Sequence, residues 1–189
     1  MASELVDIAG VAGLRQVPDW IDEERQTELL ARIDAAPWSS ELSRRVQHFG
    51  HRYDLGHRPV ITCALVPPPP EWARELGSRL DWADPPDQVI INEYLPGQGV
   101  DPRVDCALCF GPAIAVLSLG SACTMDFLDP DSNSHVPIGL PGGSLCEMRR
   151  DARYRWHHAI AARKTDPSPA GQVPRGRRVS VTFRTVRTM

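Results

Sequence analysis

The sequence predicts a mainly β fold with flanking helices (α+β), of the sandwich or jelly-roll type. From residue 88 onward, short apolar runs alternate with turn signals such as PGQG, DPDSNS and SPAGQ, and closely spaced short strands are typical of these folds. The run VSVTF (179–183) alternates apolar and polar residues, the period of a half-buried strand. The predicted strands lie in QVIINEYL, AIAVLSLG, CTMDFL, GGSLCEM, YRWHHAI and RRVSVTFR.

Two helices are predicted before these strands. The stretch DWIDEERQTELLARID (19–34) is amphipathic, with Asp19 as its N-cap. Its apolar residues near helical spacing are Trp20, Ile21, Leu29, Leu30 and Ile33. A second helix is predicted over Glu71–Leu80, because the prolines of VPPPP stop any earlier element and suit a helix start. Between the helices, RRVQHFGHRYD interleaves aromatic and charged residues around Gly50, which indicates a hairpin or ordered loop.

Length and composition favour one globular domain over residues 1–189, with a helical part and a lid in 1–87 and a β core in 88–189. No apolar run approaches the length of a membrane helix, and the N-terminus carries acids where a signal peptide needs positive charge. We therefore expect a cytoplasmic protein without membrane partners, and we favour a monomer. The odd number of cysteines, five, favours reduced thiols over a disulfide framework.

Charge is distributed unevenly along the chain. From residue 149 to the end there are eleven Arg and Lys residues against two acids, a net charge of +9, whereas residues 1–148 carry −12. A basic segment can attract nucleic acid or a small polyanionic substrate. Solvated arginines are the alternative, because twenty of the twenty-one basic residues of this chain are Arg wherever they fall.

Two predicted strands offer partners for a dicarboxylate. Arg178 and Arg184 are six residues apart, so their side chains leave a regular strand on the same face. A dicarboxylate between them would accept charge-assisted hydrogen bonds, although structural ion pairs are the alternative. Asn92 and Tyr94 likewise share one face of the strand in INEYL. Nearby motifs add Asp105, in VDC, to these candidates.

These motifs, in their order along the chain, resemble the AlkB-like family of Fe(II)- and 2-oxoglutarate-dependent dioxygenases. The resemblance runs from about residue 44 to 187, through RRVQHFG, INEYLPGQG, FGPAIAVLSL, MDF, RYRWHHAIAARKTD and RRVSVTFR. It implies a double-stranded β-helix (jelly roll, cupin-like) that holds Fe(II) and 2-oxoglutarate. The activity that it implies is oxidative dealkylation of alkylated nucleobases.

The resemblance also implies roles for individual residues. Asp105 and His158 match two metal ligands of the family. The residues that match the 2-oxoglutarate contacts are Asn92, Tyr94, Arg178 and Arg184. At the position of the remaining metal-binding histidine, however, this chain has Arg103. Guanidinium presents only donors and stays protonated, so Arg103 cannot ligate iron.

Three hypotheses follow for the metal site. The first is a weak site made of Asp105 and His158 alone. The second recruits a substitute ligand, for which the candidates are Cys106, Cys109, His135 and His157. Buried thiols, a solvated His135 and an outward-facing His157 are the simpler interpretations of those residues. The third is a metal-free site in which Arg103 supplies positive charge and pairs with Asp105. The alternative to an oxygenase is a metal-independent, repurposed pocket that catalyses a redox-neutral step on a small molecule, or a binding module for modified nucleic acid.

The segment RRVQHFGHRYDLGHRP lies where relatives carry a lid over the substrate. In this interpretation arginines contact phosphate, and aromatic or imidazole rings stack on a base. The candidate lid residues are Arg44, Arg45, His48, Phe49, Arg52 and Tyr53. Packing of Phe49 and Tyr53 against the body of the protein is the alternative. The expected partner is alkylated nucleic acid or a small-molecule substrate.

Overall fold

The computed structural model describes residues 6–40, 44–51, 66–169 and 171–187. The helices of these residues are α1 (Glu23–Ala35), α2 (Glu71–Ser78) and α3 (Arg150–Tyr154). The strands are β1 (Val6–Asp7), β2 (Leu14–Val17), β3 (Val46–Phe49), β4 (Gln88–Tyr94), β5 (Val100–Arg103), β6 (Phe110–Gly120), β7 (Cys123–Leu128), β8 (His135–Leu140), β9 (Leu145–Met148), β10 (His157–Ile160), β11 (Thr165–Ser168), β12 (Gly171–Pro174) and β13 (Arg178–Val186). No helix within these ranges is long and apolar enough to cross a membrane.

Most of the strands form two antiparallel sheets, as the predicted jelly roll requires. The large sheet has the order β1-β2-β9-β6-β13-β4-β3, and the small sheet has the order β5-β10-β7-β8. Strands β11 and β12 form a separate hairpin. Among the first 87 residues, those that the structure describes therefore contribute three strands to the large sheet in addition to two helices.

The two faces of the large sheet have different partners. On β6, Ala115 and Leu117 belong to a core that includes Leu29 of α1 and Leu76 of α2. Alternate residues of the same strand pack into a second core, which lies against the small sheet and includes Phe127. Because side chains alternate along a strand, the large sheet separates a helix-covered core from a core between the sheets.

Helix α1 begins later than the sequence pattern predicts. The backbone N–H groups of Trp20 and Ile21 both donate to the carbonyl oxygen of Gly143, at 3.0 and 3.2 Å, which holds these residues outside the helix. Asp22 is the N-cap, and its carboxylate accepts from the backbone N–H of Arg25 at 2.8 Å. The prediction of Asp19 as the N-cap is therefore wrong. Helix α2 lies within its predicted range and ends at Ser78.

Strands β4 and β13 place the polar candidates beside one another. Arg178 pairs with Tyr94, Ser180 with Asn92, and Arg184 with Gln88 in the register of the two strands. On the alternate positions of β13, side chains such as Val181 pack into the helix-covered core. One face of these two strands is thus committed to the core, and the opposite face is available for a site.

Candidate functional site

A pocket with two lobes lies between the sheets. The inner lobe has a volume of about 80 Å³ and the outer lobe about 120 Å³. Both lobes are lined by Arg44, Asn92, Arg103, Asp105 and Arg184. The inner lobe adds Tyr94, His158, Arg178, Ser180 and Thr182, among others. The outer lobe adds Val46, His48, Ile90, Val104, Cys106 and Phe110. The structure therefore brings the residues matched to the metal and 2-oxoglutarate contacts into one pocket.

Arg178 carries unused hydrogen-bonding capacity at the inner lobe. Arg178 is 3% exposed, and its Nη2 donates to the hydroxyl of Ser118 at 2.9 Å. The Nε and Nη1 atoms are buried without a hydrogen-bond partner. Its guanidinium also lies 5.5 Å from the ring centroid of Tyr94. A buried guanidinium with two unpaired nitrogens is costly, and a carboxylate in the lobe would supply an acceptor for one of them. These atoms fit one end of 2-oxoglutarate.

Arg184 is engaged by a neighbouring carboxylate. Its Nε and Nη2 both donate to Oδ2 of Asp105, at 3.1 and 2.7 Å, and its Nη1 donates to Oε1 of Gln88 at 3.3 Å. The guanidinium also lies 4.6 Å from the ring centroid of Phe110. Arg184 therefore orients Asp105 in addition to lining the pocket.

Asp105 and His158 face each other inside the pocket. Oδ1 of Asp105 lies 4.0 Å from Nε2 of His158, and both side chains are largely buried. Burial raises the pKa of Asp105, but Arg184, with a smaller contribution from His158, outweighs it and the pKa is lowered. Burial lowers the pKa of His158, against the effect of Asp105. The pair is thus a carboxylate beside a neutral imidazole.

Arg103 is the cross-strand neighbour of His158 in the pairing of β5 with β10. Its charge contributes to the lowered pKa of the imidazole. Its Nε donates to the carbonyl oxygen of Asp101 at 3.2 Å. The expected pairing of Arg103 with Asp105 is wrong, because Arg184 occupies that carboxylate. Local proximity in the motif Arg-x-Asp suggested a pairing that Arg184, on β13 of the opposite sheet, provides instead.

The substitute ligands considered from the sequence are placed elsewhere or are engaged. Cys106 and Cys109 form a disulfide, so the expectation of reduced thiols is wrong for this pair. His135 is in β8, and its Nε2 lies 2.7 Å from Oδ1 of Asp126, beside a cavity on another face. His157 is absent from the lining of both lobes.

The donor set does not fit a three-ligand iron site. Within the described ranges, no group of three or more His, Cys, Asp or Glu side chains could hold a metal ion. Asp105 and His158 supply two donors, and the neighbouring Arg103 supplies none.

One residue of this site was missed by the sequence analysis. Arg153 of α3 is 2% exposed, and its Nη1 and Nη2 donate to the carbonyl oxygens of Asp105 and Cys106, at 2.8 and 2.9 Å. It therefore holds the backbone that carries the Asp105 carboxylate. The motif RYRWHH contains Arg153, but nothing in its spacing predicts a partner 48 residues earlier.

The candidate lid residues of β3 and of the segment before it face different parts of the protein. His48 lines the outer lobe, whereas Phe49 packs against the helix-covered core, which supports the packing interpretation for Phe49. Arg44 lines both lobes, with its Nε 3.0 Å from Oδ1 of Asn92. Arg45 instead makes two hydrogen bonds to the Glu93 carboxylate, at 2.6 and 2.7 Å. Arg45 is thus engaged by the protein itself, and its role as a phosphate contact stays a prediction. Arg52 and Tyr53 lie outside the described residues.

Comparison with known proteins identifies the family. The model of the 2OG-Fe(II) oxygenase superfamily matches residues 13–184. The chain belongs to this superfamily. An uncharacterized protein, L905, of Acanthamoeba polyphaga mimivirus is 32% identical over 185 residues, which cover 92% of this chain and 85% of that protein. The alkbh8 tRNA (carboxymethyluridine(34)-5-O)-methyltransferase of Xenopus tropicalis is 36% identical over 166 residues, which cover 82% of this chain and 26% of that protein.

A solved structure supports the fold of this superfamily member. The structure of OsALKBH1 superposes with a TM-score of 0.68 at 17% identity, over 96% of this chain and all of that chain. Together with the relatives by sequence, it shows that the chain is an AlkB-like member of the 2OG-Fe(II) oxygenase superfamily with a jelly-roll fold. The family is one of oxidoreductases. The chain spans about a quarter of the length of the Xenopus relative.

Proposed function

We propose that this AlkB-like protein binds 2-oxoglutarate in the inner lobe and acts without a stably bound iron. The observation that carries the proposal is the pair of buried, unpaired nitrogens of Arg178. A folded protein seldom leaves two donors of a buried cation unsatisfied, and a carboxylate of 2-oxoglutarate supplies an acceptor for this cation. Tyr94 and Asn92 line the same lobe and offer a phenol and an amide to the ligand.

The chain's own residues divide the work of binding. Arg178 holds one carboxylate of 2-oxoglutarate, and its hydrogen bond to Ser118 fixes the direction of the guanidinium. Arg184 keeps Asp105 ionised and oriented. His158, with a pKa lowered by burial, remains a neutral imidazole beside that carboxylate. The pocket therefore presents a fixed guanidinium and an oriented carboxylate to an anionic cosubstrate.

The donor set supports the iron-free part of the proposal. In our proposal Arg103 occupies the place of a metal-binding histidine, so that two ligands remain where the family's metal centre uses three. Their carboxylate is already shared with Arg184. Iron-dependent oxidative dealkylation, the activity implied by the family resemblance, is then not the activity of this chain, and the pocket serves a redox-neutral or binding role.

The outer lobe is the proposed site for the second ligand, an alkylated nucleobase or a small molecule. His48 and Phe110 line this lobe and offer ring surfaces. The name of the Xenopus relative refers to tRNA, which supports a nucleic-acid ligand as one of the two choices.

The test is thermal unfolding with 2-oxoglutarate in the presence of a chelator. A ligand that binds only the folded state raises the melting temperature, and about tenfold excess over Kd stabilises by about 1.4 kcal/mol. Arg178→Met should abolish this response. It should not lower the melting temperature of the ligand-free protein, because it removes a buried and incompletely paired charge. Arg32→Gln, an exposed change on α1, is the matched control and should retain the response.

A second measurement addresses the metal. Anaerobic calorimetry should detect only weak iron(II) binding by the native chain and tighter binding by Arg103→His. Tight stoichiometric binding by the native chain would refute the metal-free part of the proposal. Absence of any response to millimolar 2-oxoglutarate would refute the cosubstrate part.

A further inference from the structure

The pocket contains more positive charge than 2-oxoglutarate can neutralise. Four guanidinium groups line its two lobes, those of Arg44, Arg103, Arg178 and Arg184. Asp105 is the one carboxylate among the lining residues in the described ranges. Counting these five side chains, the pocket carries a net charge of +3, and a dianionic cosubstrate leaves it at +1.

Two of the four guanidiniums already have anionic partners in the proposed complex. Arg184 is bound to Asp105 through two hydrogen bonds. Arg178 lines the inner lobe, and its guanidinium is assigned to one carboxylate of 2-oxoglutarate. The second carboxylate and the remaining charge of +1 are therefore left to Arg44 and Arg103.

Arg44 and Arg103 each donate through Nε alone among the hydrogen bonds of the described residues. Nε of Arg44 donates to the side-chain oxygen of Asn92, and its guanidinium lies 5.3 Å from the ring centroid of Tyr94. Nε of Arg103 donates to the backbone carbonyl oxygen of Asp101. Neither guanidinium forms a salt bridge with a carboxylate in the part of the chain that the structure describes. Because both residues line both lobes, they lie where the lobes meet.

We propose that Arg44 and Arg103 form a second anion subsite, which binds a carboxylate or phosphate group of the substrate beside 2-oxoglutarate. The terminal nitrogens of two guanidiniums provide the forked donors that these groups accept best. The inference rests on the proposed function for the inner lobe and names the chemistry of the ligand in the outer lobe. An uncharged ligand leaves the two arginines unneutralised and binds more weakly.

The experiment measures melting temperatures in chelator with saturating 2-oxoglutarate, so that the inner lobe is filled before the second anion is added. Inorganic phosphate is the first probe. At about ten times its Kd it should raise the melting temperature of the native protein by a further 3–6 °C or so. Arg103→Gln and Arg44→Gln should each lose most of this additional shift and keep the response to 2-oxoglutarate.

Phosphate also stabilises proteins in general, because it is excluded from their surfaces. The shift that remains in the double variant Arg44→Gln/Arg103→Gln measures this general effect. Arg32→Gln, which removes the same charge from α1 on the far side of the large sheet, should behave as the native protein. An equal phosphate shift in the native protein and in the double variant would overturn the subsite.

The result also separates this inference from the proposed function. If 2-oxoglutarate gives no shift in any variant, the proposed function fails. If the 2-oxoglutarate shift is normal but phosphate adds none, only the second subsite fails. Loss of the 2-oxoglutarate shift in Arg103→Gln would assign Arg103 to the cosubstrate and would also overturn the subsite.

Two further probes distinguish the sources of the anion. A nucleoside 5′-monophosphate represents a small molecule, and a short single strand represents nucleic acid. Both should bind more weakly to Arg44→Gln/Arg103→Gln than to the native protein. The slope of log affinity against log salt concentration becomes steeper by about 0.7 for each additional phosphate that the protein contacts. A steeper slope for the strand than for the nucleotide would show that the protein contacts further phosphates of the strand. If the double variant binds both probes as tightly as the native protein does, the subsite is refuted.

Discussion

The Glu93 ion cluster should make the stability of this protein sensitive to acid. The Glu93 carboxylate lies on the face of β4 opposite the pocket, and its side chain is 6% exposed. It accepts hydrogen bonds from Arg45 at 2.6 and 2.7 Å and from Arg177 at 2.6 Å. Arg177 also bonds to Asp34 of α1. The cluster thus joins β4, the N-terminal end of β13, the segment before β3 and a helix.

The magnitude follows from the pKa of the carboxyl group. The hydrogen bond from Arg45 is the largest cause that lowers the pKa of Glu93 to about 2, against burial and with help from Arg177. A shift of about 2.5 units corresponds to an upper limit of about 3.4 kcal/mol at neutral pH. Both arginines are partly exposed, at 46% and 33% of their side-chain surface, so solvent screening reduces the expected contribution to about 2 kcal/mol.

The sign of the pH dependence is fixed by the direction of the shift. A lowered pKa in the folded state contributes full stability above the unfolded pKa of about 4.3, and that stability is lost as pH falls toward about 2. Urea unfolding of the native protein and of Glu93→Gln should therefore differ by about 2 kcal/mol at pH 7, and by about half of that at pH 3.5. A difference that stays constant between these two pH values would refute the reasoning.

Two further predictions concern the disulfide and a glycine. Replacing both Cys106 and Cys109 by serine should lower the free energy of unfolding by about 2 kcal/mol, since the disulfide restricts the unfolded chain. In urea unfolding, a reductant should lower the stability of the native protein but not that of the double variant. Gly13→Ala should cost at least about 2 kcal/mol in the same assay, because φ is +81° and the new Cβ would lie 2.3 Å from the carbonyl oxygen of Arg149. Gly139→Ala is the control and should be nearly neutral, since its Cβ would meet nothing within 4 Å; equal effects at the two glycines would contradict this account.

The sequence predicted the pocket best where strand periodicity decides direction. Asn92, Tyr94, Arg178 and Arg184 were placed on common faces by their even spacing, and the structure finds all four lining the inner lobe. The fold class could be predicted for the same reason, because alternation and turn residues are local properties of a sequence. The roles of these four residues toward 2-oxoglutarate remain a proposal.

Partner choice was less predictable because it depends on which strands become neighbours. Arg184 meets Asp105 across 79 positions of the sequence, and Arg153 meets the backbone of Asp105 across 48. The sequence pattern instead suggested the nearby Arg103 as the partner of Asp105. Arg45 was similarly assigned to a ligand, although a pairing with Glu93 on the adjacent strand engages it.

The position of β3 gives the walls of the two lobes different free energies of local opening. In the described part of the chain, β3 is the last strand of the large sheet and has β4 as its one partner in that sheet, whereas β13 is paired on both sides. Val46 and His48 of β3 form a wall of the outer lobe. Edge strands exchange their amide hydrogens sooner than central ones, because fewer hydrogen bonds must open. Because Val46 is also held by an isolated bridge to Ser39, fluctuations that widen the outer lobe should cost least at the His48 end of β3, while the central strand that carries Arg178 and Arg184 stays paired.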